Sequence, residues 1–340
     1  MTVRSVPSVA MTRERRSPRR AALVALALCA SGCALLQPKP RQEPPPARPQ
    51  PVEALCYALE YDASGQESVR PRQRDHAGVR FTYLTLQNLE AELARKRPQR
   101  IFLIVHGWDN DTRSARDFSS RFVLPLTERA KAAEADAVFV GVHWDSEEIN
   151  FYGSAETAEK IGRRRVATLL TDLGPLARNV VIVAHSLGGR LALSALEGRP
   201  ESGQQPVAAA VLLEAAVAST AFVPGSEHAF LGAPSRASLL INVHSVHDDV
   251  LGSTYATAMG EPAMGFAGAR MQGGDPFPTI SVGPQGHDRH VLSVAIENQA
   301  GAPYGGPVIN VEASELVADH SDLTDPPLLD LIWEAAFPQR

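Results

Sequence analysis

Residues 180–196 read VVIVAHSLGGRLALSAL. An apolar, β-branched run from Val180 to Val183 continues through Ala184 into Ser186 and two glycines. Leu191, Leu193 and Leu196 then recur at helical spacing. The order is strand, tight turn, helix. A turn of this kind either reverses the chain and no more, or lifts one serine hydroxyl clear of a sheet.

The surrounding sequence repeats the same alternation. Strand patterns are expected at Arg80–Leu86, Arg100–Val105, Ala137–Val142, Val207–Leu213, Ser238–Val243 and Pro307–Val311. Helical spacing runs over Arg113–Ala132 and Ala155–Leu173, and Pro327–Phe337 fits a closing helix. Repeated βα units imply an α/β fold, a mostly parallel sheet with helices on both faces. With 340 residues, 44% of them hydrophobic, the chain can fill one large core. Residues 252–306 are rich in Gly and Pro and weakly periodic, which suggests an irregular insertion or cap near a site.

The amino-terminal segment stands apart from that core. Arg13, Arg15, Arg16, Arg19 and Arg20 precede an apolar run from Ala21 to Ala30, too short to span a bilayer comfortably. This pattern predicts a secretory signal over residues 1–32 rather than an uncleaved anchor. Met11 offers a second possible start, and Arg19-Arg20 lacks the rest of a twin-arginine motif. Ala30-Ser31-Gly32-Cys33 resembles the lipobox of bacterial lipoproteins, where small residues precede the cysteine that is acylated. The resemblance implies a lipid anchor at Cys33 in the cell envelope, and Ala34 next in line favours the outer membrane. Residues 33–51, with PKPRQEPPPARPQP at their core, predict an extended tether, and the folded domain is expected over 52–340.

Residues 1–32 hold six of the 33 basic and one of the 38 acidic side chains, so their removal takes the formal charge from −5 to −10. No basic stripe remains to follow phosphates, which excludes a nucleic-acid partner. Besides Cys33 the mature chain keeps only Cys56, so it has no internal disulfide framework.

Ala184-His185-Ser186-Leu187-Gly188 is a nucleophile-elbow pattern with Ala in the first small position. Small residues on either side of the serine let the strand turn sharply into the helix, with the next backbone N–H facing the reaction centre. His106-Gly107-Trp108 follows the strand RIFLIV, where such an architecture places its second oxyanion donor. The expected donors are the backbone N–H groups of Trp108 and Leu187, and an alternative role for His106 is to pin the loop. The serine needs a base and an orienting carboxylate from later loops. Asp248 and Asp249 follow one strand, with Glu214 in reserve after another. Position favours His320, after the last strand, over His244, His247, His287 and His290.

These features together resemble the α/β-hydrolase superfamily, and within it the bacterial serine-esterase and lipase-like members. The likeness covers roughly residues 80–335. It pairs the His106-Gly107-Trp108 loop with VGVHWDS, containing Trp144, and a helix beginning after Tyr152. It also includes Ser245, Asp248 and Leu251 in a Ser-x-x-Asp-x-x-Leu stretch, and His320-Ser321 near the end. In that register the resemblance implies Asp248 as the acid, giving a triad of Ser186, Asp248 and His320. It further implies hydrolysis of a small-molecule or lipid ester with neither cofactor nor metal. Two other classes compete with this reading. One is a metal-dependent hydrolase using the His and Asp clusters of HSVHDD and GHDRH, although no known ligand spacing is present. The other is an inactive hydrolase fold serving as a binding lipoprotein.

Overall fold

The structure, a computed structural model, describes residues 54–67, 72–147, 151–200, 205–299 and 306–338. The expected signal peptide, Cys33 and the tether lie outside the described residues. Ten strands form one sheet: β1 (Ala54–Tyr61), β2 (Arg72–His76), β3 (Val79–Tyr83), β4 (Arg100–Val105), β5 (Ala137–Trp144), β6 (Val180–His185), β7 (Ala209–Leu213), β8 (Leu240–His244), β9 (Thr279–Ser281) and β10 (Val308–Glu312). Their spatial order is β2-β3-β1-β5-β4-β6-β7-β8-β10-β9, and only β2 runs antiparallel to its neighbour.

Why such unbroken apolar runs make good strands here follows from what covers them. Along β4, Ile101, Leu103 and Val105 enter one core while Phe102 and Ile104 enter the other. Along β6, Val180, Ile182 and Ala184 go one way, and Val181 and Val183 the other. The first core is closed by Leu89 and Leu93 of α1 (Leu86–Lys96), Ala158 and Ile161 of α3 (Phe151–Ile161), Leu170 of α4 (Ala167–Asp172) and Leu191 of α5 (Leu187–Glu197). The second is closed by Phe122 and Leu126 of α2 (Thr112–Ala132) and by Leu328 and Ile332 of the last helix, Pro326–Ala336. With apolar cover on both faces, every side chain of a central strand is buried, so alternation disappears from its sequence.

Several boundaries differ from the sequence reading. The strand expected to run to Leu86 stops at Tyr83 because Thr85 caps α1, accepting from the Asn88 N–H at 3.3 Å. The helix expected over Ala155–Leu173 begins at Phe151, so Tyr152 lies inside its first turn, and a wider π-helical turn at Gly162–Val166 divides it. Residues 252–306 hold short helices α6 (Ala256–Met259) and α7 (Met264–Ala267), then β9 and α8 (Arg289–Glu297), which makes the closing helix α9. Their first half is tied down over β7 and β8. Met264 and Gly265 N–H groups donate to Val217 and Ala215 carbonyls. Buried Asn242 donates to the Met264 carbonyl at 2.9 Å and to Asn310 Oδ1 at 3.0 Å, while the Ala269 N–H donates to that same Oδ1.

The chain passes from β4 to β5 on one side and returns to β6 on the other. Where strand order reverses in this way, the loops leaving the carboxyl ends diverge and open a crevice. The turns after β4 and β6 meet there.

Candidate active site

Ser186 sits between β6 and α5 with φ 54° and ψ −125°, in the half of conformational space that L residues avoid. The surrounding backbone enforces it. Its N–H donates to the Leu213 carbonyl at 3.1 Å, and its own carbonyl accepts from Gly189 at 2.9 Å and Ala216 at 3.0 Å. Two glycines let the neighbouring turn press in. A Cβ on Gly188 would fall 2.5 Å from the His106 carbonyl, and one on Gly107 would fall 2.6 Å from Ser186 Cβ. The β4 loop therefore lies directly against the serine.

Two distant residues converge on this turn. His320 Nε2 is 2.9 Å from Ser186 Oγ, and its Nδ1 is 2.6 Å from Asp248 Oδ2. Asp248 is buried after β8, where its second oxygen accepts from the Leu251 N–H at 2.8 Å, whereas Asp249 is exposed. Ser245 Oγ donates to the Val317 carbonyl at 2.8 Å, joining the Asp248 loop to the loop that carries His320. This gives the Ser-x-x-Asp-x-x-Leu stretch a physical reason: Ser245 fixes the neighbouring loop and Leu251 fixes the carboxylate.

The rival histidines lie elsewhere. His287 pairs with Glu334 of α9 at 2.9 Å, His290 is exposed on α8, His247 is exposed, and His244 is buried at the end of β8. His106 is neutral, held down to about 4 by burial. Its Nε2 accepts from the Trp144 N–H at 3.0 Å, which leaves the proton on Nδ1 to donate to the Gly107 carbonyl at 2.9 Å. Trp144 Nε1 donates to the His106 carbonyl at 3.1 Å. His106 thus pins the loop on which Trp108 stands. Leu187 opens α5, where the first helical N–H groups lack intrahelical acceptors.

Two residues matter more than their sequence suggests. His185 closes β6, and its Nε2 donates to the His320 carbonyl at 2.8 Å, so it holds the backbone of His320. Burial, then the neighbouring His320, keeps its imidazole well below the ordinary histidine range. Glu214 follows β7 at φ 45°, fully buried, with Oε2 3.8 Å from His320 Nδ1. Burial first, and the adjacent Asp248 second, push its carboxyl up to about 10. Neither of its oxygens accepts a protein hydrogen bond. A protonated Glu214 facing the Asp248 carboxylate as donor resolves both facts.

Among the described residues, His185, Glu214 and His320 form a group with metal-ligand chemistry, their donor atoms within 4.8 Å of one another. It is a different set from the His and Asp clusters of HSVHDD and GHDRH. Its nitrogens are already engaged, His320 Nδ1 by Asp248 and His185 Nε2 by a carbonyl. In GHDRH, Asp288 caps α8 by accepting from the His290 N–H at 2.8 Å. These donor sets fit a hydrogen-bonded triad better than an ion.

Residues 84–218 match a family described as an alpha/beta hydrolase of unknown function (DUF900). No curated protein sequence matches the chain. Among solved structures it is similar to a gene product of Listeria innocua, at 10% identity and TM-score 0.39, covering 71% of this chain and 95% of that one. It is also similar to an esterase/lipase from an uncultured bacterium, at 13% identity and TM-score 0.36, covering 94% and 97%. A third similarity is to the HSL homologue EstE7 from a metagenome library, at 16% identity and TM-score 0.35, covering 95% and 97%. The sheet order, the strained serine between β6 and α5 and the family match over 84–218 agree on one architecture: the chain has an α/β-hydrolase fold.

Proposed function

We propose that the protein is a serine hydrolase that cleaves carboxylic esters. The observation that carries this reading is a single imidazole, His320, reaching Ser186 Oγ at 2.9 Å and Asp248 Oδ2 at 2.6 Å. Ser186 Oγ attacks the ester carbonyl while His320 Nε2 takes the serine proton. Asp248 holds the imidazole and balances the charge of the imidazolium. Backbone N–H groups of Trp108 and Leu187 receive the developing oxyanion. The tetrahedral intermediate collapses, the alcohol leaves with the proton from His320, and an acyl group remains on Ser186. Water, deprotonated by His320, attacks this acyl-enzyme and frees the acid and the serine.

A chain-length series of nitrophenyl esters tests the reading. Turnover is expected to be insensitive to chelator and abolished by a serine-reactive phosphonate. Chelator-sensitive turnover that survives the phosphonate would overturn it in favour of metal chemistry, and absence of turnover with every ester would favour a binding protein.

The same reading places the domain in the cell envelope, attached through acylated Cys33 and held off the lipid by the proline-rich segment. Its support is the sequence alone: arginines, a short apolar run and Ala30-Ser31-Gly32 before the cysteine. Several acyl chains give durable attachment where one gives marginal binding. Among the described residues no helix is long and apolar enough to cross a membrane. Cys33→Ser is expected to block incorporation of labelled palmitate and leave ester turnover intact. Wild-type protein that takes up no palmitate would contradict the anchor.

A further inference from the structure

Three donors meet on one carbonyl oxygen in the loop after β4. The Gly107 oxygen accepts from His106 Nδ1 at 2.9 Å, from Ser146 Oγ at 3.0 Å and from Asn110 Nδ2 at 3.3 Å. Asn110 Nδ2 also reaches the Trp108 carbonyl at 2.7 Å. Ser146 is fully buried, and it is laced to the same loop through its backbone. The Asp109 N–H donates to the Ser146 carbonyl at 3.0 Å, the Ser146 N–H to the Asn110 carbonyl at 3.3 Å, and the Asn110 N–H to Ser146 Oγ at 3.0 Å.

A carbonyl oxygen has two lone pairs, so three donors exceed what its satisfaction needs. Their effect is to fix its direction. The peptide joining Gly107 to Trp108 is planar and trans, so the Trp108 N–H points opposite to the Gly107 oxygen. The missing Cβ of Gly107 would touch Ser186 Cβ at 2.6 Å, which puts this peptide against the nucleophile. The Asp109 N–H, next along, is already committed to Ser146.

We propose that Ser146 and Asn110 are positioning residues of the oxyanion site, clamping the Gly107 carbonyl so that the Trp108 N–H faces the oxygen that becomes negative at Ser186. This rests on Ser186 as nucleophile and Trp108 as donor. Preorganised donors contribute because they need no reorientation when charge appears. Releasing the clamp should therefore weaken transition-state binding and leave ground-state binding alone.

The test uses the full chain with Ser146→Ala, Asn110→Ala and Ser146→Thr, a nitrophenyl butyrate substrate, and a trifluoromethyl ketone that adds to the serine as a tetrahedral anion. Each alanine variant is expected to lower kcat roughly tenfold, a fraction of the loss for deleting an oxyanion donor outright, with KM within about twofold. The ketone inhibition constant should rise by the same factor as kcat/KM falls, and Ser146→Thr should recover most of both. A lowered Tm with kcat and the ketone constant unchanged would reduce the clamp to loop stability. A fall in kcat without a parallel loss of ketone affinity would also overturn the proposal. If buried Ser146→Ala fails to fold, half-buried Asn110→Ala decides alone. Wild-type protein that forms no ketone adduct overturns the nucleophile reading and this one together, whereas wild-type binding with unaffected variants overturns this one only.

Discussion

The carboxyl end of β6 and the loops after β8 and β10 build two halves of one site by different means. At β6 the backbone does the holding. Ser186 is held by the strand before it, the helix after it and the backbone of Ala216, in a conformation that its neighbours impose. At β8 and β10 the reacting side chains come from far apart, for Asp248 meets His320 across 72 positions and His320 meets Ser186 across 134. Side chains bonded to backbone do the holding there: Ser245 to Val317, His185 to His320, and the Leu251 N–H to Asp248. The Ser186 half should therefore be sensitive to added volume, and the Asp248–His320 half to lost hydrogen bonds.

The largest expected effect breaks the second half. Asp248→Asn keeps the shape but removes the charge and favours the wrong imidazole tautomer, so kcat should fall by ~10³–10⁴. Asp249→Asn, on an exposed side chain, should stay within about twofold of wild type. Steady-state kinetics on the two variants settles the comparison, and a greater loss at Asp249 would dissolve it.

Next comes volume in the first half. Gly107→Ala places a methyl 2.6 Å from Ser186 Cβ, where backbone rather than a flexible tip must move. Overpacking of this kind costs about 1–3 kcal/mol. A lower Tm together with impaired turnover is expected, and an unchanged enzyme would mean the β4 loop does not press on the serine.

Glu214→Gln sharpens the contrast, since it removes a proton and no shape. The folded carboxyl stays protonated up to about 10, whereas in the unfolded chain it ionises in the ordinary carboxylate range. Its contribution is therefore whole below that range and lost as pH rises toward the folded value. Between about pH 5 and pH 9 the wild-type Tm should fall more steeply than that of the glutamine variant. Parallel slopes in thermal melts would show that Glu214 does not carry the proton. Activity should change little, because the amide can still donate to Asp248. His290→Ala, on an exposed face of α8, should change neither turnover nor Tm.

The same division governs what the sequence could reveal. The elbow was legible because strand, small residues and helix adjoin in one stretch, and β4 was legible because burial on both faces leaves a continuous apolar run. The strand Arg72–His76 was missed because an edge strand of Arg, Gln, Asp and His has no apolar period, and β9 because three residues carry no period at all. Position pointed to His320, but the choice of Asp248 over Asp249 came from the resemblance. What separates them physically is burial, which no local pattern in HSVHDD reports. His185, Asn110 and Ser146 look like ordinary residues at strand ends and turns. Their roles arise from which carbonyl they reach, and that depends on the meeting of β4, β5 and β6.

The central claim is that Ser186 is the nucleophile and His320 its base. Reaction with a fluorophosphonate, followed by mass spectrometry of the digested protein, tests it most directly. The adduct is expected on the peptide containing Ser186, absent from Ser186→Ala although that variant folds normally, and formed far more slowly in His320→Ala. An adduct on a different peptide, or labelling of Ser186→Ala at the wild-type rate, would contradict it.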